Sequence, residues 1–180
     1  MNSRLWVAAV TIAGVAAAQD IPLNLLESLG PKAAETVQVN LDGSLLQMAA
    51  KFLNDKDGDE AKVKNLLNGL KGIYVRSYKF EKAGEYSTAD IDKMRAQLKG
   101  WNEIVTVRSA KENTGIYLKT DGQKVQGLVV LAAEPMELTV VNIVGTIQPE
   151  QLAELSGKFG IPDLGDAAKK AGSQKKKEEE

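Results

Sequence analysis

The chain contains neither cysteine nor histidine. Without a thiol there is no disulfide, no thiolate nucleophile and no sulfur to carry a lipid, so a lipoprotein is excluded. Without imidazole, the Ser-His-Asp and Cys-His systems and the zinc hydrolases built on histidine ligands are excluded as well. A surplus of charge is also missing: 23 Lys and Arg stand against 24 Asp and Glu, a net charge of −1. Such a balance supplies no field to steer nucleic acid or an anionic membrane, and no nucleic-acid partner is expected. What remains for chemistry is carboxylates, Lys, Tyr, Ser and Thr. The Ser and Lys residues form no Ser-x-x-Lys arrangement, no catalytic constellation emerges, and no cofactor or metal is expected.

Apolar runs long enough to span a bilayer are lacking too. The first residues carry Arg4, an apolar run from Leu5 to Val15 and small residues through Ala18. A membrane anchor needs about 20 apolar residues, and this run is shorter. Its layout is that of a secretory signal peptide, residues 1–18, with Ala16 and Ala18 placed for a cut before Gln19. The expectation is an exported protein, periplasmic or extracellular, with no stable membrane insertion after cleavage. The rest of the 180 residues, with 43% hydrophobic and 26% charged overall, suits one domain that builds its core without staples. Its parts are a lead-in helix and linker over 19–35, one domain over 36–164, and a disordered charged tail over 165–180 that ends in KKKEEE.

Pro22 to Pro31 sets Leu23, Leu26 and Leu29 on one side of a short helix. Thr36 to Leu41 alternates Val37, Val39 and Leu41 with Gln38 and Asn40, the period of a half-buried strand. Ser44 is the candidate cap of a helix over Leu45–Leu53, and a second helix from about Glu60 to Leu70 aligns Val63, Leu66, Leu67 and Leu70. Ile73–Phe80 reads as a strand, and Ser87 to Asp90 as a capping box ahead of a helix with the stripe Ile91, Met94, Leu98. From Ile104 the period changes to two and stays there, through Ile104–Arg108, Thr114–Lys119, Val125–Ala133 and Glu137–Val144. Asp121-Gly122 serves as a tight turn between two of these strands. A last helix is expected from about Pro149 to Phe159. The fold class is therefore α+β: one mixed, largely antiparallel sheet covered by helices on one face, its C-terminal half a β-meander.

Asp55, Asp57 and Asp59 invite a calcium-loop reading, which fails because Glu60 stands where glycine is needed and Leu66 where the bidentate Glu is needed. Tyr74, Arg76, Tyr78 and Phe80 share one side of their strand, a row able to stack on a sugar or peptide at an exposed sheet face. Sheet packing accounts for the same residues. Carboxylates gather at Glu81, Glu85, Asp90 and Asp92 and again at Glu134 and Glu137, which caps and solvated turns also explain. Asn142, within ELTVVNIVG, lies on the face of Met136, Leu138, Val140 and Val144. It is a buried polar candidate, opposite Gly127 or Val129 according to where the Glu134–Met136 turn is centred. A local bulge near Val140 and Val141, or a hydrogen bond to backbone, is expected to satisfy it.

The stretch VRSYKFEKAGEYSTADIDKMRAQLKGW (Val75 to Trp101), followed by IVTVRS, IYLKTDGQKVQGLVVLAAEPMELTVVNIVG and QLAELSGKFGIP, resembles the uncharacterised bacterial domain-of-unknown-function family 4252. The resemblance covers roughly residues 70–164. It implies a small exported envelope protein and, more loosely, a link to envelope signalling through extracytoplasmic sigma factor systems. It transfers no catalytic residue. Two readings follow: a non-enzymatic binding or accessory module with an envelope protein as partner, or a carboxylate-based hydrolase acting in the periplasm, in a cleft near Glu81–Glu85 and Glu134.

Overall fold

A computed structural model describes residues 21–122, 124–148 and 151. The signal-peptide segment, the helix expected over Pro149–Phe159 and the charged tail lie outside the described residues, Gln151 apart.

The described residues begin with a 3-10 helix, Leu23–Lys32. A 3-10 helix has three residues per turn, so leucine at every third place stacks Leu23, Leu26 and Leu29 along a single edge, and all three are buried. There follow β1 (Glu35–Asp42), α1 (Gly43–Ala50), α2 (Gly58–Gly69), β2 (Leu70–Lys79), α3 (Thr88–Ala96), β3 (Asn102–Arg108), β4 (Asn113–Asp121), β5 (Lys124–Glu134) and β6 (Glu137–Ile147). The caps are local and specific. Asp42, two residues earlier than the Ser44 expected, caps α1: its carboxylate accepts from Leu45 N at 2.9 Å and from the Ser44 hydroxyl at 2.6 Å. Asp57 caps α2 by accepting from Asp59 N and Glu60 N. At α3 the carboxylate of Asp90 accepts from Ser87 N at 3.0 Å, the return arm of the expected box.

The six strands form one sheet in the order β1-β2-β6-β5-β4-β3, and every neighbouring pair is antiparallel. The α+β class and the meander β3-β4-β5-β6 stand as read. Gly122, with φ +59°, makes the turn after β4. Tyr117, Val129, Asn142 and Tyr74 fall in one cross-sheet row.

The covering of the sheet differs from the one-faced arrangement expected. Leu46, Ala50, Leu66 and Leu67 of α1 and α2 join Ile73, Val75, Leu128, Val130, Val141 and Ile143 in one core. Leu23, Leu26 and Leu29 of the 3-10 helix and Ile91 and Met94 of α3 join Tyr78, Val129, Leu131, Leu138 and Val140 in another. The two sets have opposite parity on every strand they share, so they lie on opposite faces. Helices cover both faces because β5 and β6 are apolar at consecutive positions, which puts both of their sides out of water. Among the described residues, no helix is long and apolar enough to cross a membrane.

One close approach ties α2 to β6. Gly145 has φ +134°, and a Cβ there would lie 2.6 Å from Gly69 O and from Leu70 Cα and 2.7 Å from Lys71 N. Only a residue without a side chain admits backbone so near.

Candidate functional site

The row Tyr74, Arg76, Tyr78 and Phe80 does share one face, but the 3-10 helix and α3 divide it. Tyr78 and Phe80 are buried in the core beneath Leu26 and Leu29. Tyr74 and Arg76 are only partly buried and line a groove of about 310 Å³, whose other wall carries Ile21, Leu23, Asn24 and Glu27, with Asn40 of β1 beside them. Arg76 donates through one terminal nitrogen to Val75 O at 2.8 Å and to Val39 O at 3.3 Å. Its Nε, the Tyr78 hydroxyl and both polar atoms of the Asn142 amide are buried and have no hydrogen-bond partner among the described residues. Burial raises the Tyr78 pKa, the Arg76 charge opposes that rise, and the Glu27 carboxylate adds to it.

Asn142 lies on the same sheet face as Tyr74, Arg76 and Tyr78, its partner across the strands being Tyr74, and it is not among the residues that line the groove. Glu134 pairs with Glu137, leaving Pro135-Met136 at the turn, so Asn142 faces Val129 on one side and Tyr74 on the other. It is 0% exposed. Neither device expected to satisfy it is present. The register of β6 against β2 runs unbroken from Glu137 to Val144, which leaves no bulge at Val140 and Val141. No backbone group bonds the amide either. The physical reason is the strand's central position: β6 is flanked by β2 and β5, so neighbouring backbone donors and acceptors point along the sheet into its ladders. On the same face, aromatic rings lie over glycines of the two flanking strands. A Cβ on Gly72 would meet the Tyr74 ring at 2.6 Å, and one on Gly127 would meet the Trp101 ring at 2.9 Å.

The carboxylates do other work. Asp90 caps α3, Asp92 lies 3.9 Å from Arg95, Asp55 pairs with Lys64 at 2.7 Å, and Asp57 caps α2. Glu81, Glu134, Glu137 and Glu35 do meet, with Lys79, around a cavity of about 680 Å³ floored by Phe80, Pro135 and Met136. Glu35, Glu81 and Glu134 are exposed there, whereas a carboxyl that serves as general acid is ordinarily enclosed by apolar surface. Tyr86 donates to Glu134 O and to Glu137 O, the latter at 3.3 Å, and so pins the turn beside this cavity. Among the described residues no group of three or more Asp or Glu is placed to hold a metal ion.

Sequence reasoning missed Asn24, Glu27 and Asn40 as groove residues. The polar parity of β1, with Gln38 and Asn40 on one side, was the available signal. It also missed a network on the same sheet face: Tyr117 donates to Glu103 at 2.9 Å and receives Arg95 Nε at 3.2 Å, while Arg95 also donates to Asn113. Burial pushes the Glu103 pKa up, yet hydrogen bonds from Thr106 and Tyr117 and the charges of Arg108 and Arg95 outweigh it and leave the carboxyl below its ordinary range.

No curated protein and no solved structure matches the chain. One family model does, over residues 31–155. That span includes every strand of the sheet and all three α-helices but excludes most of the 3-10 helix, so the groove lies where the matched domain meets the segment preceding it. With well over half its length matched, the chain belongs to the family described as Domain of unknown function (DUF4252).

Proposed function

We propose that this chain is an exported bacterial envelope protein that binds a partner or ligand without transforming it, with the groove beside Tyr74 and Arg76 as its contact surface. The observation that carries the reading is the groove itself. It joins an aromatic ring, a guanidinium and three amide or carboxylate side chains, next to a strand that pairs on one edge only, since β1 is hydrogen-bonded to β2 alone among the described strands. An unpaired strand edge offers backbone groups to an incoming segment. Export is supported by the layout of residues 1–18, and the family resemblance extends the proposal to envelope signalling. The hydrolase alternative has the carboxylates around Phe80 and Met136 in its favour and their exposure against it.

Photo-crosslinking in intact cells tests the binding reading. A crosslinker at Asn40 or Asn24 should capture one reproducible species, and one at Ser109, on the loop between β3 and β4, should not. Equal capture from all three positions, or none from any, would defeat the proposal.

A further inference from the structure

We propose that the cavity beside the β5–β6 turn docks a basic segment of a partner protein, one that carries lysine or arginine on either side of an apolar side chain. The surface is separate from the groove beside Tyr74 and Arg76, so failure at one leaves the other standing. On the sheet face that carries α1 and α2, the core ends at the row Val39, Val75, Val141 and Val130. Two further rows lie beyond it: Val37, Ser77, Thr139 and Ala132, then Glu35, Lys79, Glu137 and Glu134. α1 follows β1 at Asp42 and α2 leads into β2 at Leu70, the opposite ends of these strands from Glu35 and Lys79. The core that the two helices build therefore stops short of these rows, and Val37 is left 43% exposed.

The outermost row is short of positive charge. Lys79 stands between Glu35 and Glu137 in the register, and Glu137 stands directly opposite Glu134. Like charges directly opposite one another across a strand pair are destabilising. Glu81 brings the cavity to four carboxylates against one ammonium. Among the described residues, none of the four lies within ion-pair distance of a cation. The chain as a whole is balanced at −1, so this excess of negative charge is local. Between the carboxylates Pro135 and Met136 are exposed, Met136 by 45%, and the buried Phe80 completes the floor. An apolar floor ringed by unpaired carboxylates is complementary to an apolar side chain flanked by cations, and a thioether adapts its shape to such a side chain.

The spread of the charges selects a chain over a small amine. From Glu35 to Glu134 the row crosses three strand spacings, about 14 Å. A single ammonium reaches only part of that row, whereas five residues of extended chain span the same distance of about 14 Å and bring several cations at once. A volume of about 680 Å³ likewise exceeds what one side chain fills.

The test is a titration of the purified protein, labelled with ¹³C at the methionine methyls, with three capped pentapeptides: Lys-Lys-Leu-Lys-Lys, Ser-Ser-Leu-Ser-Ser and Glu-Glu-Leu-Glu-Glu. Met136 reports the cavity, and Met48, 56% exposed on α1, reports contact elsewhere. The lysine peptide should shift Met136 saturably at millimolar concentration or below and leave Met48 in place, and added salt should weaken it. Glu134→Gln combined with Glu137→Gln should weaken it by about threefold or more, the loss of two exposed ion pairs. The urea midpoint of that variant should be unchanged or higher, because the opposed like charges are gone. Equal shifts from the serine peptide, or larger ones from the glutamate peptide, would overturn the charge complementarity and the proposal with it. A Met136 resonance that no peptide moves, or that moves no more than Met48, would overturn it as well.

Discussion

Replacement of Asn142 by Leu tests whether the amide contributes to folding. The amide is 0% exposed and bonds to nothing among the described residues. Desolvating an unpaired amide costs about 1–3 kcal/mol in mutational series. Leu has the same branching at Cγ and a slightly larger volume, and near-isosteric swaps usually cost less than about 1.5 kcal/mol. Its neighbours in the row, Val129 and Tyr74, and Val140 on the same strand face, are apolar or aromatic, so the methyl groups gain packing where the amide has none. The net expectation is a gain of about 1–2 kcal/mol, which for a domain of this size raises Tm by roughly 3–8 °C. Urea unfolding followed by tryptophan fluorescence should show a higher midpoint at unchanged slope, the signature of a change in stability alone. Asn142→Asp should move the midpoint the other way, since a buried unpaired charge is costlier still. The reasoning is refuted if Asn142→Leu lowers stability by about 1 kcal/mol or more, because such a loss requires a partner, protein or internal water, that the substitution orphans.

Gly145→Ala should destabilise by about 3 kcal/mol or more, because φ of +134° and backbone contacts of 2.6 Å leave a methyl nowhere to go; a midpoint within 1 kcal/mol of wild type would show that the α2–β2 junction yields freely. Acid sensitivity should trace to Asp90 and Glu103. The hydrogen bond from the Ser87 backbone, with those from the Ser87 hydroxyl and Lys93, holds the Asp90 carboxyl below its ordinary range, and Glu103 is lowered too. A depressed folded pKa gives stability that is present above the unfolded value and is lost as pH falls through the folded one. Stability should therefore decline below about pH 4, and Asp90→Asn should flatten part of that decline; an unchanged pH profile in that variant would rule out its contribution.

The meander was legible because two signals agreed along it. Short apolar and β-branched runs, continuous in β5 and β6, marked the strands, and Asp121-Gly122 and Glu134-Pro135 marked turns whose backbone demands few residues meet. The cap of α3 was legible for the same local reason, and at α1 Asp42 took the place of Ser44 because its carboxylate reaches both Leu45 N and the Ser44 hydroxyl. Strand order was not legible. Setting β6 between β2 and β5 depends on which apolar surfaces meet after the chain has crossed the sheet through α3, and no residue in β6 encodes its neighbour. The two-sided covering was legible in principle, since Leu128 to Leu131 and Val140 to Val144 leave almost no outward position polar, which is the mark of a strand buried on both faces.

The aromatic row and Asn142 show where parity stops informing. Alternation placed Tyr74, Arg76, Tyr78 and Phe80 on one face, but which of them stay accessible depends on where a separate helix lands. Leucine at every third residue seats the 3-10 helix over Tyr78 and Phe80, and its first turn, with Asn24, ends beside Tyr74 and Arg76. Half of a uniform row thereby became core and half became the wall of a groove. Asn142 was conspicuous as the one amide in an apolar strand, and its lack of a partner follows from the central position that sequence did not reveal. In an edge strand the same amide would reach water or a free backbone group. Between β2 and β5 it reaches neither, and the unpaired amide is then a standing destabilisation that replacement by Leu would relieve.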